Sequence, residues 1–253
     1  MRIKLILMAT LAAAGIWSIG ALWVQPAKCQ ERPVTVHVKI ERAPSTKNTS
    51  SSSAPNDSSV VVWLKPLGGL ETKVPAADPP EKRLQVVQKN KTFQPHLTVV
   101  QVGSVVDFPN RDPFFHNVFS LFEGKRFDLG LYEAGATNSV KFDHVGISFL
   151  FCNIHPEMSA VVVSVDTPYY AISDKSGLVS LPNVPNGKYL LNIWYERSVP
   201  EDLKKLTRTV EVSDQDRDLG TIVVKQDPGF TPTHKNKYGQ DYVPPPQPEY
   251  QQP

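Results

Sequence analysis

The sequence predicts an all-β protein, and three observations carry that reading. Val34, Val36, Val38 and Ile40 alternate with Thr35, His37 and Lys39 at the period of a half-buried strand; short Val-rich runs recur along most of the chain; and 23 prolines against 14 glycines suit strands joined by turns. The 253 residues suffice for one large β domain or two small ones, and a hydrophobic fraction of 40% supports a core. A formal net charge of +2 provides no footprint for nucleic acid.

Taken in order, Arg2 and Lys4 precede an apolar run from Leu5 to Val24 that Gln25 and Pro26 close. Residues 1–27 read as an export segment, which makes the product periplasmic or secreted. Gly20 and Ala21 offer small residues for cleavage, while the length of the run also suits an uncleaved N-terminal anchor, the one route to a membrane. Cys29 follows Lys28, where a lipoprotein signal would want a small residue. Val34 to Ile40 is the first strand, Pro44 to Ser59 a solvated Ser/Asn/Pro-rich loop, and Val60 to Leu64 a second strand that pairs with the first as a hairpin. Pro75 to Lys82 marks a boundary. Short apolar runs then follow at sandwich spacing: Leu84–Val87, Leu97–Val102, Val105–Phe108, His116–Leu121, Val140–Phe142, Ile147–Phe151 and Val161–Val165. A further set, Tyr169–Ile172, Leu178–Leu181, Tyr189–Trp194, Thr207–Val212 and Gly220–Val224, makes a second small sandwich, with Glu201–Leu206 the only helical turn. From Gln226 onward Pro, Gln, Tyr and Lys predict a disordered tail, 226–253, that adds reach and no chemistry.

The chemistry concentrates in Phe151-Cys152-Asn153-Ile154-His155-Pro156-Glu157-Met158, with His116 upstream in Phe114-Phe115-His116-Asn117-Val118. The chain has only two cysteines, so an exported domain with an unpaired Cys152 needs a reason for it, and metal ligation is one. A Cys29–Cys152 disulfide, or an inert buried Cys152, is the plain alternative. Two imidazoles and a thiolate in a trigonal array, with a weak thioether on the axis, suit a copper ion that changes oxidation state. His116, Cys152, His155 and Met158 form that set, and Pro156 stiffens the loop. Zinc also accepts His, Cys and His, with Glu157 as a further donor, whereas the thioether favours copper. His37, His96, His144 and His234 read as structural or solvated. No second ligand cluster suggests an enzyme, and no catalytic residue is assigned.

These residues resemble the cupredoxin family, and within it the amicyanin and pseudoazurin branch, through Val102-Gly103-Ser104-Val105-Val106-Asp107-Phe108-Pro109-Asn110-Arg111-Asp112, then His116-Asn117-Val118 and the copper loop. The resemblance covers Leu84 to Val165. It implies a Greek-key cupredoxin sandwich at 82–166 holding one mononuclear type 1 copper and exchanging single electrons with transient protein partners. By the same likeness Asn117 ties the ligand strand to the copper loop and tunes the thiolate. His155 is the exposed edge for electrons, and Pro113, Phe114, Phe115 and Pro156 ring it. Glu157 in the loop and the segment Phe119–Gly135 depart from the family pattern. Asp174-Lys175-Ser176-Gly177-Leu178 through Lys188-Tyr189 resembles a carboxypeptidase regulatory-like or transthyretin-like sandwich. That likeness implies a second domain built from 33–75 and 167–225, with the copper unit inserted into it. A non-redox cell-envelope module for binding or copper handling is the competing function.

Overall fold

In the computed structural model the strands are β1 (Val34–Glu41), β2 (Val61–Pro66), β3 (Leu84–Gln85), β4 (Val87–Lys89), β5 (Thr92–Gln94), β6 (Leu97–Gln101), β7 (Val105–Pro109), β8 (His116–Ser120), β9 (Phe127–Tyr132), β10 (Thr137–Lys141), β11 (Gly146–Phe151), β12 (Ser159–Val165), β13 (Tyr170–Ile172), β14 (Leu178–Leu181), β15 (Gly187–Trp194), β16 (Arg208–Val212) and β17 (Asp218–Lys225). One short helix, α1 (Pro200–Leu206), stands between β15 and β16. The structure describes residues 32–42, 58–68, 80–121, 123–231 and 234–242. Residues 1–27, expected to be an export segment, Cys29, most of the Ser/Asn/Pro-rich loop and most of the expected boundary at Pro75 to Lys82 lie outside them. Among the described residues no helix is long and apolar enough to cross a membrane.

The strands assort by sheet rather than by sequence order. β14, β1 and β17 form one sheet, and β13, β2, β15 and β16 another. The two face each other across a core that includes Val36, Val38, Val62, Leu64, Val179, Tyr189, Leu191 and Ile222. The hairpin expected between the first two strands therefore does not form. β1 pairs with β14 and β17, and β2 with β13 and β15. Each strand buries a face in the same core, so they meet face to face across it instead of edge to edge.

Between them in sequence, β10-β7-β3 and β6-β12-β11-β8-β9 enclose a second core, with Phe108, Val118, Phe142, Leu150, Cys152, Met158 and Val162 among its members. A third cluster joins the two units: Val61 from β2 packs with Val161, Val163 and Val165 from β12, flanked by Trp63, Phe149 and Trp194. β2 and β12 thus bury both faces, which is why their sequences read as unbroken apolar runs rather than alternating ones.

Candidate metal centre

β11 and β12 pair in register up to Phe151 with Ser159, so residues 152–158 close this antiparallel pair as a tight loop. Its neck is tied by the Cys152 amide donating to the Met158 carbonyl at 3.3 Å, and the Met158 amide donates to the His155 carbonyl at 3.1 Å. β8 lies on the other side of β11, pairing Phe119 with Phe151, and this brings His116 at its start beside the loop. A register shift between Asn117 and Phe119 bends β8 there.

Three donors meet at that point. Cys152 Sγ lies 3.9 Å from His116 Nδ1 and 3.6 Å from His155 Nδ1, and the two Nδ1 atoms are 3.1 Å apart. The circle through them has a radius of about 2.1 Å, within the range of metal–nitrogen and metal–sulfur bonds. Among the described residues no other His, Cys, Asp or Glu joins the group. Glu157 is exposed and stands outside it. Cys152 is a free, fully buried thiol, and Met158 is equally buried in the same apolar cluster.

The electrostatics suit a cation. Burial pushes the Cys152 thiol up, while the amide groups of Asn117, Ile154 and His155 favour its anion. Burial and the neighbouring His116 push His155 down, leaving it a neutral donor. His116 Nε2 is 2.8 Å from Asp112 Oδ2, so the ring donates there and turns the lone pair of Nδ1 toward Cys152. Burial would raise the Asp112 carboxyl, but hydrogen bonds from the Lys91 amide, His116 and the Asn90 amide outweigh it and hold it below the usual range. The Asn110 side chain shapes this turn: its Oδ1 accepts from the Asp112 amide and its Nδ2 donates to the Phe114 carbonyl.

Asp112 was not singled out by the sequence as part of the site. Its spacing of four residues from His116 is the one sequence signal for its part in the site. The Asn117 side chain donates to Asp128 Oδ1 and the Gly130 carbonyl, tying β8 to β9, while its backbone amide faces the thiol and favours the thiolate. His155 is half-buried, while Pro113, Phe114, Phe115, Ile154 and Pro156 are exposed around it. The Phe114 ring packs against both His116 and His155, at 5.2 and 5.6 Å between centroids. Phe115 is 54% exposed, so it is a surface residue and not core.

The tail departs from expectation. Residues 234–242 pack on the end of β11 and the loop 152–158: His234 stacks on Phe151 at 4.0 Å, and Tyr242 donates its hydroxyl to the Cys152 carbonyl. Residues 243–253 lie outside the described part. His37 and His144 are exposed, whereas His96 bridges Ser159 and Glu196.

No protein-family model matches the chain, and no curated protein sequence does. Solved structures similar to part of it include a purple cupredoxin from Nitrosopumilus maritimus, 21% identical, covering 32% of this chain and 99% of that one with a TM-score of 0.30. Two reduced amicyanin variants are each 22% identical. One covers 33% of this chain and 82% of its own at a TM-score of 0.31, the other 35% and 87% at 0.32.

Proposed function

We propose that this chain is an exported type 1 copper protein, its ion held by His116 Nδ1, Cys152 Sγ and His155 Nδ1 with the Met158 thioether as the weak fourth donor, and that it carries single electrons between protein partners without catalysing a reaction. The observation that supports this is the donor triangle: two imidazole nitrogens and one buried sulfur already at metal-bonding separation. A closed zinc site would want a fourth nitrogen, sulfur or carboxylate ligand, and among the described residues none stands beside the three.

Copper bound there would supply a one-electron couple. The protein's part is to hold the donors where they are needed in both charge states. His116 is fixed by Asp112, Cys152 by its place at the end of β11, and the loop by its tied neck. His155 is the donor that reaches the surface, and the exposed Phe114, Phe115, Pro113 and Pro156 around it suit an apolar, transient contact with a redox partner. On this reading 82–166 is a cupredoxin sandwich, and 33–75 with 167–225 is a carboxypeptidase regulatory-like sandwich that carries it.

The test is the visible spectrum of the full chain after addition of cupric ion. The wild type is expected to show intense thiolate-to-copper absorption that bleaches reversibly on one-electron reduction, and Cys152→Ala to stay colourless. A colourless wild type with correctly folded β structure sinks the proposal.

A further inference from the structure

The segment His234–Tyr242 touches the site at several independent points. The Tyr242 hydroxyl donates to the Cys152 carbonyl at 2.5 Å, and the Lys237 amide donates to Asn153 Oδ1 at 3.0 Å. Lys237 Nζ reaches Asp128 Oδ2 at 2.8 Å, and Asp128 Oδ1 in turn accepts from Asn117 beside His116. His234 lies face to face with Phe151 and edge-on to Tyr242. The segment holds its own shape through Asn236 Oδ1, which accepts from the Tyr238 and Gln240 amides. One strap therefore contacts the loop that carries Cys152 and His155 directly, and reaches the strand that carries His116 through Asp128 of β9.

The hydroxyl's target gives the contact its meaning. The Cys152 amide is already bound by the Met158 carbonyl, so the Tyr242 bond occupies the other polar group of the same residue. With both held, the peptide planes flanking Cys152 are fixed, and with them the direction of the bond that carries the sulfur. We propose that Tyr242 is a positioning residue for the Cys152 thiolate, delivered by a C-terminal strap that is part of the metal site. The inference rests on the copper reading, but part of its test does not need copper.

In the metal-free full chain, the alkylation rate of Cys152 is followed by peptide mass mapping, which separates it from Cys29. Tyr242→Phe removes one hydroxyl and is expected to speed alkylation about fivefold, the effect of losing a typical net hydrogen bond on local opening. Gln240→Ala, at an exposed side chain of the same segment whose backbone amide keeps its bond to Asn236, is expected to match the wild type. Lys237→Ala, which removes the bridge to Asp128, is expected to speed alkylation as well and decides the matter if Tyr242→Phe does not fold. In the copper-charged chain, Tyr242→Phe is expected to keep its colour while its reduction potential falls, because a dipole whose positive end favours the reduced site is gone. Wild-type alkylation and an unchanged potential in Tyr242→Phe overturn the proposal. A wild type that stays colourless defeats the copper reading alone, and the alkylation ratio still decides the strap.

Discussion

Asp112 offers the sharpest test of how the site is held. Its Oδ1 accepts from the Asn90 amide at 2.6 Å, and its Oδ2 from the Lys91 amide at 3.0 Å and from His116 Nε2 at 2.8 Å. Asp112→Asn keeps the shape but turns one oxygen into a donor. If the new amino group faces His116, two donors lose their acceptor and the imidazole must move its proton to Nδ1, the atom the metal needs. If it faces Asn90, only that amide is orphaned. The second arrangement is cheaper, so Asp112→Asn is expected to cost about 1–2 kcal/mol of stability. It should weaken cupric affinity about tenfold, through loss of the charge behind the imidazole. Asp112→Ala leaves all three donors without a partner and should cost about 3 kcal/mol, with affinity falling closer to a hundredfold. Urea unfolding of the metal-free protein and chelator competition for cupric ion measure the two quantities separately. An alanine variant equal to the wild type in both, or an asparagine variant worse than alanine, refutes the reasoning.

Two further predictions concern the frame. His96 Nε2 lies 2.7 Å from Glu196 Oε2 and its Nδ1 3.1 Å from the Ser159 carbonyl, so only the imidazolium satisfies both acceptors. The Glu196 carboxylate raises His96 above its ordinary 6.5, against burial and the Arg197 charge. A raised folded-state value means stabilisation fully present below pH 6.5 and lost as pH climbs through the higher value. The side chain is half exposed, so the gain is only about 0.5 kcal/mol. The gap in urea midpoint between wild type and His96→Gln should be largest near pH 5.5 and shrink by about pH 9, and a pH-independent gap contradicts the assignment. At Gly124 a methyl group would sit 2.6 Å from Ser148 Oγ and 2.8 Å from the Ile147 carbonyl carbon and oxygen, whereas at Gly130 it would meet nothing. Both residues have positive φ, 74° and 67°. Gly130→Ala should therefore cost the left-handed strain alone, about 1 kcal/mol, and Gly124→Ala about 3 kcal/mol; equal losses on chemical denaturation would remove the packing argument.

The cluster of His116, Cys152 and His155 was legible because two of its members sit within one loop of a chain with only two cysteines, and because few residue types can serve a metal. What orients the donors was not. Asp112 stands before Pro113 among turn-forming residues, and nothing in its own neighbourhood shows that β8 will bring His116 back over it. Tyr242 and His234 sit in a stretch whose composition predicts disorder, and their order comes from a surface made by residues far away in sequence. The hairpin misreading has the same root. β1 and β2 each carry a strand pattern, but pattern fixes which face is buried and not which edge finds a partner. β9 went unnoticed because its burial is partial and irregular, with Gly130 in its middle.

The packing of the two cores against each other bears on the site through β12. Ala160 and Val162 face the core that holds Cys152 and Met158, while Val161, Val163 and Val165 face Val61, Trp63 and Trp194 of the other unit. Each buried valine resists exposure by about 1.5 kcal/mol or more, so β11 and β12 cannot shift beneath the metal loop without opening contacts on both of their faces. Cys152 and Met158 sit at the two ends of that loop and share this constraint, and His116 is fully buried and tied to Asp112. Of the proposed donors only His155, halfway along the loop and half-buried, has room to move. On the proposed reading, a change in metal charge would be accommodated at the His155 ring, which faces the exposed aromatic patch.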